Sequence, residues 1–124
     1  MYITRDDLNT RFGKYEINRL EAGIKEPNAV QAAIDDACQT VDSYVASRYP
    51  LPLAVVPVSL QRACAVIARY CLYKNQPTPT VRQDYEDVIR WLEQVASGKV
   101  KLVLGLSAGE ESQSANYLSG VMIV

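Results

Sequence analysis

Apolar residues recur at helical spacing through most of the chain. The clearest run follows Asn28, where Val30, Ala33, Ile34, Ala37, Cys38, Val41 and Val45 mark one face of a helix. Gln31, Asp35, Asp36, Gln39 and Ser43 fall on the opposite face. Asn28 suits the N-cap, and the helix is expected to stop near Tyr49, because Pro50 disfavours helical geometry in the residue before it. A second pattern, over 58–74, carries Leu60, Ala63, Cys64, Ile67, Ala68 and Cys71 on one stripe, widened by Val66, Tyr70 and Tyr73. Arg62 and Arg69 mark a narrow polar edge. A helix apolar on most of its circumference belongs at the centre of a bundle, touched from several sides. A third stripe consists of Val81, Tyr85, Val88, Leu92 and Val95, with Ile89 and Ala96 beside it. Thr78 or Thr80 caps this helix and Ser97-Gly98 ends it. Its outer face offers the pairs Arg82/Glu86, Glu86/Arg90 and Arg90/Glu93 at helical neighbour spacing.

Shorter patterns flank these three. Thr4 with Asp7 reads as a helix start, Leu8 and Phe12 share a face, and Gly13 supplies a stop. A second short helix is expected over 14–22, with Ile17 and Leu20 inward and Gly23 at its end. Residues 24–27 read as a loop. Pro50-Leu51-Pro52-Leu53 predicts an extended strut with its apolar side chains pinned to the core, and Pro57 is expected in the first turn of the next helix. Past Gly98 the pattern changes. Residues 100–104 are short and β-prone. Residues 105–119 are rich in Gly, Ser, Ala and acidic residues, with Leu106, Tyr117 and Leu118 as bulky anchors. Val121, Met122, Ile123 and Val124 form an apolar ending suited to an edge strand. The expected fold is therefore all-α. A bundle of three long helices with short N-terminal helices fills 1–98, and 99–124 is an extension, partly flexible or strand-forming.

Composition narrows the chemistry. The 124 residues are 48% hydrophobic and 22% charged, enough for one domain to bury a core without staples. Thirteen basic and 14 acidic residues leave a formal net charge of -1, which speaks against a dedicated nucleic-acid binder. The chain has no histidine, so Ser-His-Asp and Cys-His activation within the chain are excluded. Cys38, Cys64 and Cys71 do not form a secreted disulfide pattern, and a metal site would lack its remaining ligands. They read as small buried hydrophobes, against a ligand or redox role, in a protein of the reducing cytoplasm. The acidic N-terminus predicts no leader, and no apolar run reaches the roughly 20 residues of a membrane span.

Other constellations are weak. Gly98-Lys99 lacks the upstream glycine of a phosphate-binding loop. Asp35-Asp36 and Asp84/Glu86/Asp87 read as solvated helix faces. Catalytic, cofactor and metal sites are thus expected to be absent. Arg48 either bonds helix-end carbonyls or a carboxylate, or makes an intersubunit contact. Trp91 is either an edge of the core or an interface anchor. Eight tyrosines against one phenylalanine suit a half-wet assembling surface.

Several segments together carry a resemblance. They are Met1-Tyr2-Ile3-Thr4 with Asp7-Leu8 and Arg11-Phe12-Gly13; the stretch from Asp42 through Arg48-Tyr49-Pro50-Leu51-Pro52-Leu53; Ala68-Arg69-Tyr70; and Tyr85-Glu86-Asp87-Val88-Ile89-Arg90-Trp91-Leu92 followed by Ala96-Ser97-Gly98-Lys99-Val100. In this order, over about 1–102, the chain resembles a family of small proteins of Mu-like phages and prophages, the head–tail connectors or neck adaptors. The tail from Gly105 carries no part of the resemblance. The resemblance implies an all-α protein without enzymatic activity or cofactor. It would bind the portal protein and the next neck or tail protein in a homo-oligomeric ring, a dodecamer when assembled. Such a ring lines the DNA channel, with only non-specific proximity to phage DNA and no membrane contact. Its places would be the host bacterial cytoplasm during assembly and then the virion neck. Candidate interface residues are Arg48, Tyr49, Trp91, Tyr117, Leu118, Val121 and Ile123. The alternative is a small helical regulator binding a host protein or DNA, for which Arg62, Arg69, Arg82 and Arg90 would have to converge on one face.

Overall fold

Thr4 opens the first helix with a reciprocal cap. Its hydroxyl accepts the Asp7 amide at 3.4 Å, while the Asp7 carboxylate accepts the Thr4 amide at 2.8 Å. The computed structural model describes residues 2–104, and these form five helices: α1 (Arg5–Phe12), α2 (Lys14–Ala22), α3 (Ala29–Val45), α4 (Val58–Tyr73) and α5 (Pro79–Ser97). The all-α expectation holds, as do the three long helices. Gly13, at φ +95, makes the sharp turn between α1 and α2.

α4 is the centre. Ala63, Cys64, Ala65, Val66, Ile67 and Ala68 are consecutive and all buried, so every side of this helix is covered through its middle. α3 lies along it most extensively, α5 covers another flank, and α1 and α2 close the remainder. Leu8, Ile17, Ile34, Val41, Val45, Leu92 and Val95 fill the contacts and are wholly out of water. At about 25 cal/mol per Å² of apolar surface, each such side chain contributes roughly 1.5–3 kcal/mol before the entropy of ordering is subtracted. Further along the α4–α5 contact, Tyr70 and Tyr85 stack with ring centroids 3.9 Å apart and planes 10° from parallel.

Of the polar edge of α4, Arg62 is exposed while Arg69 is drawn out of solvent. Arg69 donates through Nε to Glu16 Oε2 at 2.9 Å and through Nη2 to Glu16 Oε1 at 3.3 Å. Its guanidinium sits 4.4 Å from the centre of the Phe12 ring, and Asp84 of α5 approaches to 3.8 Å. The Tyr73 hydroxyl donates to Glu16 Oε2 at 2.8 Å. One arginine thus fastens α1, α2 and α5 to the central helix. Burial pushes the Glu16 carboxyl upward, but hydrogen bonds from Arg69 and Tyr73 outweigh it and hold the group below its ordinary range.

Several local expectations need correction. Asn28 stands at the N-cap position of α3 but in the left-handed region, φ 57, and its side chain makes no capping bond; its carbonyl accepts from Ala32 at 2.9 Å. α3 ends at Val45, and a tight turn follows in which the Arg48 and Tyr49 amides both donate to the Val45 carbonyl. The Pro-Leu segment is no extended strut. The chain bends at 51–52 and again at 54–55, the Leu51–Pro52 peptide is cis, and Leu51 is exposed while Leu53 and Val56 pack on the core. Proline fixes φ but leaves ψ and the isomer of the preceding bond to packing. Pro57 is the N-cap of α4, not a residue of its first turn. Thr78, rather than Thr80, caps α5, with Pro79 at the first helical position. On the outer face of α5, Arg90 pairs with Asp87 at 3.2 Å, and none of the three expected pairs forms among the described residues. Exposed side chains choose between nearly equal neighbours there, for at most a few tenths of a kcal/mol. No strand occurs at 100–104.

Because folding lowers the Glu16 pKa, its contribution is complete above the ordinary carboxylate value of about 4.3 and is lost as pH falls through the lower folded value. Glu16→Gln is expected to cost about 1–2 kcal/mol at neutral pH and to flatten the pH dependence of stability below about pH 4.5. Denaturant titrations of both proteins across pH 3–7 (roughly the window set by carboxylate titration) check this.

Candidate assembly surface

α3 and α5 end side by side. Arg48, just past the end of α3, lays its guanidinium against Gly98, the residue that terminates α5: a Cβ placed on Gly98 would stand 2.7 Å from Arg48 Cζ. Gly98 itself takes φ +87, a region glycine reaches without strain, and its amide returns to the Val95 carbonyl at 3.2 Å. A cation over the carbonyl end of a helix is also favourably placed against the helix dipole.

Beyond Gly98 the chain folds back on the bundle. The Val100 amide donates to the Gln94 carbonyl at 3.1 Å. The Leu102 amide donates to the Tyr49 hydroxyl at 3.0 Å, and the Leu102 side chain enters the core. Tyr49 is half-buried, its ring on the core and its hydroxyl acting as the latch. Arg48 and Tyr49 are thus brought together with 98–102, a juxtaposition across more than fifty positions of sequence. Trp91 lies two turns back along α5, half-buried against the core. Tyr117, Leu118, Val121 and Ile123 lie outside the described residues.

The N-terminal residues close the same end of the bundle. Tyr2 and Ile3 are buried, and the Tyr2 phenol donates to the Asp42 carboxylate near the end of α3. Burial, and then the Asp42 carboxylate, push that phenol well above its usual pKa. Tyr2, Asp42, Leu51, Pro52, Leu53 and Val56 line an open groove of about 320 Å³ beside the Pro-Leu corner.

The most exposed apolar side chains were not foreseen from sequence. Among the described residues, the large hydrophobics left in water are Tyr15, Leu51, Val55, Val58, Val103 and Leu104. All but Tyr15 belong to this one end: the corner after α3, the first residue of α4, and the segment leaving α5. Val58 is 70% exposed and Val103 82%. A legible sign exists in the run from 51 to 60, whose apolar residues outnumber what one irregular connection can tuck inward. An apolar cluster of this kind can bury itself against a partner. Among the described residues, no three His, Cys, Asp or Glu side chains gather as a metal site. No described helix is long and apolar enough to cross a membrane. Arg69, one of the four arginines a nucleic-acid face would require, is committed to Glu16 and is only 18% exposed.

Two substitutions test the local architecture. Tyr49→Phe removes the acceptor of the Leu102 amide; amide exchange at Leu102 is expected to quicken about tenfold, with roughly 1 kcal/mol of stability lost. Gly98→Ala is expected to cost about 1 kcal/mol through its positive φ. Most of that cost should persist with Arg48→Ala, since the long arginine side chain can move aside but the backbone cannot; thermal unfolding of the single and double variants measures both.

The family model described as Bacteriophage Mu, Gp36 matches residues 2–121. The match passes well beyond the point near residue 102 where the sequence motifs stop, and so takes in most of the tail. The Mu-like prophage FluMu protein gp36 of Haemophilus influenzae is 46% identical over 116 residues, which cover 90% of this chain and 81% of that protein. Gene product J of Escherichia phage Mu is 36% identical over 128 residues, covering 99% of this chain and 86% of its own. With its helical motifs lying in that matched span, the chain belongs to the Bacteriophage Mu Gp36 family.

Proposed function

We propose that this phage-family protein is a head–tail connector, an adaptor that joins the portal in the virion neck. In this reading copies of the chain form a ring, a dodecamer on the portal, that continues the DNA channel and offers a platform to the next neck or tail protein. Its role is structural, without catalysis or cofactor, and it acts in the host cytoplasm during assembly. The observation that carries the reading is the gathering of Leu51, Val55, Val58, Val103 and Leu104 at one end of the bundle, where the chain leaves the core toward its last twenty residues. A connector must bury apolar surface against neighbours while its own core stays closed, and this end combines both properties.

The mass of the full-length protein, alone and with purified portal, tests the proposal; no complex in the mixture would overturn it. A sharper test replaces Val58 by Glu. At 70% exposure the substitution should leave the unfolding midpoint nearly unchanged. It should weaken portal binding or self-association at least tenfold, about 1.4 kcal/mol, by placing an unpaired charge in the interface.

A further inference from the structure

Cys38 and Cys64 are separated by 26 positions in sequence and come from different helices, yet their sulfur atoms lie 3.5 Å apart as free thiols. Cys64 is wholly buried, and Cys38 is 9% exposed. Tyr2 belongs to the same buried cluster, and its phenol is fastened to Asp42, one turn beyond Cys38 on α3.

We propose that Cys38 and Cys64 are a redox site, a dithiol that closes to an α3–α4 disulfide by exchange with a low-molecular-weight disulfide such as oxidised glutathione. The Cys38 thiol gives up its proton and its sulfur attacks one sulfur of the small disulfide. That bond breaks, releasing one small thiol and leaving a mixed disulfide on Cys38. Cys64 then loses its proton and attacks Cys38 Sγ, expelling the second small thiol. Two protein thiols are oxidised; their two protons and two electrons leave on two molecules of small thiol. Both thiols are buried, so exchange needs local opening of the core, and Cys38, 9% exposed against 0% for Cys64, is the first that opening reaches. Cys64 is poorly ionised beforehand, held up by burial and then by the neighbouring Cys38. Once Cys38 is in the mixed disulfide it carries no charge, and that second obstacle is gone. The sulfurs must still close to about 2.0 Å, a movement within reach of side-chain rotation from contact distance. Cys71 stands two helical turns from Cys64 on α4, about 10 Å along the axis, and cannot bridge to it.

In a glutathione-reducing compartment the pair stays open, and in an oxidising medium it closes. The inference does not rest on the connector reading, since the isolated chain suffices to test it. Full-length Cys71→Ser protein is incubated, folded, with oxidised glutathione; remaining thiols are then alkylated under denaturing conditions and the intact mass is measured. The expected product carries no alkyl group and no glutathione, has lost the two thiol hydrogens, and unfolds at a higher temperature until a reductant is added. Cys64→Ser should stop at the glutathione adduct on Cys38. Persistent double alkylation of the Cys71→Ser protein, a stable glutathione adduct in it, or a bridge that lowers the unfolding midpoint would each overturn the proposal.

Discussion

The structure depends on the need to keep water from every side of α4. Six consecutive buried residues, Ala63 to Ala68, cannot be satisfied by one partner, because successive positions on a helix point about 100° apart. α3 and α5 take two flanks and the short pair α1–α2 takes the rest. The two short helices are marginal by themselves; they persist because α4 offers them a face and Thr4 and Gly13 set their ends. Where the α4 stripe is broken by Arg69, the fold supplies a ring face from Phe12 and a carboxylate from Glu16, so a charge at the edge of the core becomes a clamp between four helices.

The two ends of this bundle carry unequal burdens. At the end where α4 turns into α5, Thr78 caps and Pro79 starts the helix, and the connection is short. At the other end converge the corner after α3, the N-terminal residues and the segment leaving α5. Their internal fastenings are specific: Tyr49 to Leu102, Tyr2 to Asp42, Arg48 over Gly98. They hold the backbone in place without covering Val55, Val58 or Val103. A rigid frame that presents uncovered apolar side chains loses little conformational entropy when a partner arrives, and this favours recognition over mere stickiness. The Cys38–Cys64 contact lies deeper, between the middle turns of α3 and α4.

Much of this could be read without coordinates. The three long stripes, the Thr4 start, the Gly13 and Gly98 stops and the central place of the second long helix all follow from spacing and backbone preference, which are properties of neighbours in sequence. Arg48 and Tyr49 do meet at the end of the bundle, but through Gly98 and Leu102, contacts that no local pattern encodes. Val55 and Val58 were hidden by their chemistry: an apolar residue near proline reads as core when its surroundings are unknown.

The sequence by itself determined which segments are helical, which faces are apolar and where most of the helices begin and end, because each depends on residues within a turn of one another. Only the tertiary structure decided that Arg69 seeks Glu16, that Arg90 chooses Asp87 and that the Pro-Leu corner bends. It alone brought two distant cysteines into contact and left one end of the bundle apolar in water. These outcomes rest on competition among distant groups for the same space, and the winner is set by how the helices pack around α4.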